Sequence, residues 1–200
     1  MLREARRQKA LPPGKVPEVC VLDPDGDILD YLVRRKLAER NPFWACYHTT
    51  LYQFVFAGIP FGILACAVGG PFAVLLAEQL FVSGCQLLIS MTSAGQVLPV
   101  RPPPYFVLIE RALRDEGTSH HYLPPARYAV LNRAIGQRVV HALKSFVPQV
   151  ERGASWTTDA PYRETAKAIA RAKADGILAV EMEAASLYSF AQARRKPVVC

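Results

Sequence analysis

Two hundred residues, 51% hydrophobic and 20% charged, suit one domain that buries a sizeable core. The net charge of +7 does not indicate a nucleic-acid partner: Arg3, Arg6, Arg7, Lys9 and Lys15 crowd the first fifteen positions, and no aromatic-plus-basic recognition pattern accompanies them. The cysteines (Cys20, Cys46, Cys66, Cys85 and Cys200) are odd in number, scattered and without a CxxC pair, which excludes a disulfide framework and a zinc-ligand motif.

That cysteine usage fits a reducing compartment. No apolar core follows the basic N-terminus, so a secretory signal is not expected and the chain reads as cytoplasmic. Residues 1–16, with Pro12, Pro13 and Gly14, read as a basic flexible tail, and residues 17–200 as a single domain.

Residues 18–22 form the first apolar strand, and Asp23-Pro24-Asp25-Gly26-Asp27 a turn with capping chemistry. Residues 28–39 carry helical periodicity, ended by Asn41-Pro42. Residues 49–57 and 62–68 read as strands, with Ile59-Pro60 as the turn between them. Residues 54–77 contain no charge, a run long enough to cross a bilayer of ~30 Å. Gly58, Pro60, Gly62, Gly69, Gly70 and Pro71 nevertheless cut it into strand-length and helix-length pieces, so the expectation is a buried core and no membrane. Pro71 suits the first turn of a helix over 71–82, and Gly84 its stop.

A buried strand over 86–91 leads into Thr92-Ser93-Ala94-Gly95, and Arg101 to Pro104 is an extended connector. Residues 106–109 form a strand and 114–119 a polar loop. Tyr128, Leu131, Ile135, Ala142 and Phe146 recur at helical spacing and predict an amphipathic helix. A strand over 150–156, a helix over 163–174, a strand over 177–180, a helix over 184–191 and the start of a strand at Pro197 complete the chain. Such alternation predicts an α/β fold with a mixed, mainly parallel central sheet and helices on both faces.

Glu181-Met182-Glu183 stands at the carboxyl end of a core strand just where a helix begins, the edge at which open α/β sheets bind ligands. Gly69-Gly70-Pro71 links a strand to a helix N-terminus, which suits an anion or a plain turn. Thr92-Ser93-Ala94-Gly95 carries the same two readings. His48, His120 and His121 have no carboxylate or thiol at helical spacing, so no metal is expected, and no G-x-S-x-G elbow is present.

These residues carry a resemblance. Val180 to Ala185 resembles the signature of the nucleoside phosphorylase superfamily of uridine phosphorylase and hexameric purine nucleoside phosphorylase type. Gly69-Gly70-Pro71-Phe72-Ala73 with Glu78 and Gly84 is similar to its Gly-x-Gly-Pro-Ser-Ala segment. Leu88 to Gly95 resembles its Arg-Ile-Gly-Thr-x-Gly turn, residues 112–119 with Tyr122 its Ala-x-Arg-x-Glu-Gly-x-Ser loop, and Thr157-Thr158-Asp159 with Tyr162 its Ser-x-Asp-x-Phe-Tyr segment. The order is consistent over residues 16–200.

The resemblance implies phosphorolysis of a nucleoside's N-glycosidic bond by a dimer or hexamer, with phosphate as co-substrate and no cofactor. It places Glu183, Met182 and Glu181 at the ribose, Gly70, Ser93 and Ser90 at the phosphate, and Thr158, Asp159 and Tyr162 at the base.

There are departures. Ser90 stands where the family carries a phosphate-binding Arg, and Arg101 or an Arg of a neighbouring subunit is the candidate replacement. Asp23 to Asp27 stands where a Gly-Asp-Pro-x-Arg loop is usual, and Pro161 replaces an aromatic. The family's catalytic acid would come after Cys200, so the domain reads as incomplete there and no catalytic residue is assigned. A hydrolytic nucleosidase and a non-catalytic nucleoside-binding homologue are the alternative readings.

Overall fold

Where glycine and proline break the apolar runs, the chain turns, and the pieces between become strands and helices. The computed structural model describes residues 2–144 and 150–200. The chain divides into two compact units, Met1–Val68 with Phe72–Thr92, and Gly69–Pro71 with Ser93–Cys200.

The first unit contains α1 (Leu2–Gln8), β1 (Val19–Asp23), α2 (Asp27–Arg34), β2 (Ala38–Arg40), β3 (Tyr52–Phe56), β4 (Ile59–Ala65), α3 (Gly70–Ser83, whose first residues belong to the second unit) and β5 (Leu87–Ser90). Its strands run in the order β5-β1-β4-β3-β2. The central β1 is parallel to both neighbours, with Val21 opposite Ile63 on one side and Ile89 on the other. A parallel strand is covered on both faces, which is why 19–22 is uniformly apolar, with Cys20 and Leu22 wholly buried.

Two local expectations change here. The turn between β3 and β4 is Ala57-Gly58, with φ of 50° and 77°, and it closes directly on the Phe56–Ile59 pair. Positive φ at both turn residues is the primed hairpin geometry that matches strand twist. Pro60 therefore lies inside β4, but β1 pairs with that strand only from Phe61 onward, so its missing N–H breaks no parallel rung.

The helix read over 28–39 stops at Arg34. Lys36 takes φ 57°, and Leu37 N–H reaches back to Leu32 O (2.8 Å) while Lys36 N–H bonds Val33 O (2.9 Å), a closing motif that frees Ala38 to pair with Phe54. Edge pairing outweighs the helical periodicity at Ala38 and Glu39.

The second unit continues with β6 (Gly95–Gln96), β7 (Phe106–Asp115), β8 (Tyr128–Val130), α4 (Arg133–Leu143), β9 (Val150–Thr158), α5 (Ala166–Ala174), β10 (Ile177–Glu181), α6 (Ala184–Arg194) and β11 (Val198–Val199). The order is β6-β10-β9-β7-β8, with β9 parallel to β7 and β10 and antiparallel strands at both edges.

Strand alternation sorts the helices. Ala154, Trp156, Ile177 and Val180 pack with Ala172 of α5, while Ser155 and Thr157 face the other way and bond the first turn of α6 and the carboxylate that precedes it. Tyr188 of α6 is anchored through its hydroxyl, which donates to Ile109 O (2.6 Å) and accepts from Cys200 N–H (3.0 Å).

The expected α/β class holds, as a mixed sheet with a parallel centre and helices on both faces, its strands shared between two sheets. Tyr128 and Leu131 fall outside the expected amphipathic helix. Tyr128 lies in a strand paired with Leu113, and the helix starts after Asn132, whose side chain accepts from Ala134 N–H (3.0 Å) and Ile135 N–H (3.2 Å). Phe146 lies outside the described residues. No helix among them is long and apolar enough to cross a membrane.

Ala57 holds a left-handed conformation that Asn adopts more readily than Ala. Ala57→Asn is expected to stabilise the hairpin by about 0.5–1 kcal/mol in urea unfolding, with an unchanged m-value.

Candidate functional site

Because β9 and β10 run parallel, their carboxyl ends emerge side by side, with Thr157 directly opposite Glu181. Glu181 is buried there and its carboxylate collects four hydrogen bonds. Oε1 accepts from Ser155 Oγ (2.9 Å) and Thr157 Oγ1 (2.5 Å), and Oε2 from Glu183 N–H (2.7 Å) and Ala184 N–H (2.7 Å). The last two are unsatisfied N–H groups at the start of α6, so Glu181 caps that helix from inside the preceding strand. Thr157 Oγ1 also accepts from Ala185 N–H (2.9 Å), closing the ring. Burial pushes the Glu181 carboxyl up from its ordinary range, against the downward pull of Thr157, Ala184, Glu183 and Ser155.

Glu183 is the residue before α6, yet its side chain does not cap that helix. It is turned instead to the start of α3, where Oε1 accepts from Gly69 N–H at 2.7 Å. Gly69 has φ 89°, a left-handed turn that presents this amide. Gly70 beside it packs directly on Ser186: a Cβ at position 70 would overlap Ser186 Oγ and lie 3.0 Å from Ser186 Cβ and 3.4 Å from Glu116 Oε2. Only glycine fits that approach.

Ser186 Oγ in turn donates to Glu116 Oε2, which also accepts from Ser119 N–H (3.0 Å). Glu116 opens the turn 116–119 at the end of β7, and Asp159 holds the same turn from the other loop by accepting from Gly117 N–H (2.8 Å). Arg114 is buried beneath the turn and donates to Ser119 Oγ (2.8 Å), Pro124 O (2.7 Å), Leu123 O (3.2 Å) and His120 Nδ1 (3.3 Å). A guanidinium only donates, so Nδ1 is the accepting atom in that contact.

The structure thus joins Glu181, Glu183 and Gly70 in one network, with Met182 half-buried between the two carboxylates. Thr158 is buried at the end of β9, where its hydroxyl accepts from Ala160 N–H (3.2 Å), and Asp159 is exposed beside it. Tyr162 is not brought to this network: at 101% exposure it stands wholly in solvent on the turn after β9. Ser93 is exposed in the loop that leads to β6, and Ser90 is buried at the end of β5 in the first unit.

Arg101 pairs with Glu151 at the opposite end of β9, six residues and about 20 Å from Thr157 at ~3.3 Å per residue. It is not placed to serve an anion at this edge. Among the described residues no group of three or more His, Cys, Asp and Glu side chains is positioned to hold a metal ion.

Sequence reading did not single out Glu116, Ser186, Thr157 or Ser155 as partners of the two carboxylates. The available signal was the strand period: 155 and 157 share one face, the face opposite Trp156.

A family model described as the phosphorylase superfamily matches residues 18–200. The chain belongs to this superfamily. A uridine phosphorylase of Thermococcus kodakarensis is 26% identical over 157 residues, 72% of this chain and 55% of that protein. Uncharacterized protein R802 of Acanthamoeba polyphaga mimivirus is 31% identical over 123 residues, 60% of this chain and 46% of its own length. The chain spans about half the length of these curated relatives. The fold matches the crystal structure of a Vibrio fischeri uridine phosphorylase complexed with 6-hydroxy-1-naphthoic acid, with a TM-score of 0.78 at 23% identity, over 92% of this chain and 76% of that one.

Two outcomes follow from this geometry. Glu181→Ala strands two buried backbone N–H groups and is expected to cost about 3 kcal/mol or more in chemical denaturation, whereas Glu181→Gln keeps an acceptor for them and costs less. Gly70→Ala is expected to lower Tm, and Ser186→Gly, by removing the side chain that the new Cβ strikes, is expected to recover part of that loss in the double variant.

Proposed function

We propose that the protein cleaves the N-glycosidic bond of a nucleoside with phosphate, releasing the free base and a (deoxy)ribose 1-phosphate. The observation that carries this reading is the buried Glu183 carboxylate at a parallel strand end, held by Gly69 N–H on the glycine loop that opens α3. Leaving-base departure develops oxocarbenium character on the ribose, and a carboxylate fixed in a dry site stabilises that charge without reorganising.

In this reading Glu183 accepts the ribose hydroxyls and Met182 packs against sugar and base. Glu181 sets the position of both by tying their backbone to β9. Gly70, Ser93 and Ser90 serve the phosphate, and Thr158, Asp159 and Tyr162 flank the base. Phosphate is the co-substrate, with no metal or organic cofactor. The working protein is a cytoplasmic homo-oligomer, a dimer or a hexamer.

Hydrolysis by the same site is the second reading, and two features favour it. Ser90 is a neutral hydroxyl where the family carries an Arg, and no hydroxyl matches a bidentate guanidinium on phosphate. Glu183 and Glu116 are both buried at the Gly69–Gly70 turn, Glu183 occupying the Gly69 N–H that a phosphate would need and both adding only acceptors there.

Incubation with a panel of purine and pyrimidine nucleosides, with and without phosphate, separates the readings. Base release that requires phosphate supports phosphorolysis, and release without it supports the hydrolytic reading. Ligand-induced stabilisation with no turnover would overturn both. Glu183→Gln is expected to lower kcat/KM by about a hundredfold or more while leaving far-UV circular dichroism unchanged, and an unaltered rate would refute the ribose assignment.

A further inference from the structure

Glu116 is a buried carboxylate that the proposed chemistry leaves unused. Each of its hydrogen bonds goes to the protein. Ser119 N–H donates to it at 3.0 Å, and the Ser186 hydroxyl donates to Oε2. Those two bonds tie a turn and a helix to it, so its contribution passes through what it holds.

What it holds is specific. Ser186 lies in the first turn of α6, three residues after Glu183, and its Oγ rests against the Cα of Gly70. A serine hydroxyl can occupy three staggered rotamers. Donation to Glu116 selects the one that backs the Gly69–Gly70 turn, and that turn presents the N–H on which Glu183 is fixed. The chain of contacts therefore runs Glu116, Ser186, Gly70, Gly69, Glu183, all of it within one unit. The same carboxylate also organises the 116–119 turn that Asp159 grips through Gly117, so one residue sets both the sugar side and the base side.

We infer that Glu116 is a positioning residue: through Ser186 it holds the Gly69–Gly70 turn, and with it the Glu183 carboxylate, in working geometry. This rests on the nucleoside-cleaving reading above, so the test has one arm that needs no substrate. In hydrogen exchange, Glu116→Ala is expected to speed exchange of the Gly69 amide relative to amides of β9 and β10, and Glu116→Gln, which keeps an acceptor for Ser186, is expected to restore its protection.

In the second arm, with the nucleoside that the wild type cleaves best, Glu116→Ala and Ser186→Ala are each expected to lower kcat by about ten- to a hundredfold, more than they raise KM. The double variant is expected to be no worse than the poorer single one, since both act through one contact. Glu116→Gln is expected to recover most of the rate.

An unchanged Gly69 exchange rate in Glu116→Ala would overturn the inference, as would strictly multiplicative losses in the double variant. A wild type that cleaves no nucleoside would instead overturn the functional reading, with the exchange arm still deciding whether Glu116 holds the turn.

Discussion

The second unit depends on one carboxylate. Glu181 ends a strand whose face toward α6 would otherwise carry two buried hydroxyls and two orphan helix N–H groups, and it satisfies all four. Removing any one of these polar groups from water is costly unless it is paired, and a single carboxyl group at a helix N-terminus pairs them together. The same bonds fix the angle at which β10 hands over to α6, and so fix where Met182, Glu183 and Ser186 stand. A residue that anchors a helix thereby sets the geometry of the site around it.

The neighbouring Glu183 shows how position divides the labour of two identical side chains. Glu181 turns inward along its strand, and Glu183, two residues later, faces the glycine loop before α3. That loop tolerates the approach because Gly69 supplies a left-handed backbone and Gly70 leaves room for Ser186. The result is a site rich in buried carboxylate and held together largely by backbone amides and hydroxyls. Its buried arginine, Arg114, is committed to carbonyls, a serine and a histidine beneath the 116–119 turn.

Much of the fold was legible in the residues. Pro71 at a helix start and Gly84, at φ 123°, at its stop bracket α3 as expected, and the apolar runs 19–22, 87–90 and 177–180 are strands. The failures share a cause. Ala38 and Glu39 fall on the helical spacing but pair as an edge strand, and Tyr128 matches a helical stripe but lies opposite Leu113. In both places a partner distant in sequence supplied hydrogen bonds that local periodicity cannot register. The hairpin turn was misplaced by two residues because Ile59-Pro60 looks like a turn dipeptide, whereas the positive φ falls on Ala57-Gly58.

By itself the sequence determined the α/β class, the strand-end location of Glu181, Met182 and Glu183, and the glycine junction at 69–70, because these follow from short-range pattern and residue type. Only the tertiary structure decided how those pieces are used. It made Glu181 a helix anchor, set Glu183 on Gly69, brought Glu116 and Ser186 to Gly70, left Tyr162 in solvent and sent Arg101 to the far end of β9. The physical reason is range. Glu183 and Gly69 are separated by 114 positions and Ser186 and Glu116 by 70, and nothing local to either partner specifies the other. For Ser186 and Glu116 parallel pairing does, since β7 and β10 both run parallel to β9 and deliver their ends to a common edge.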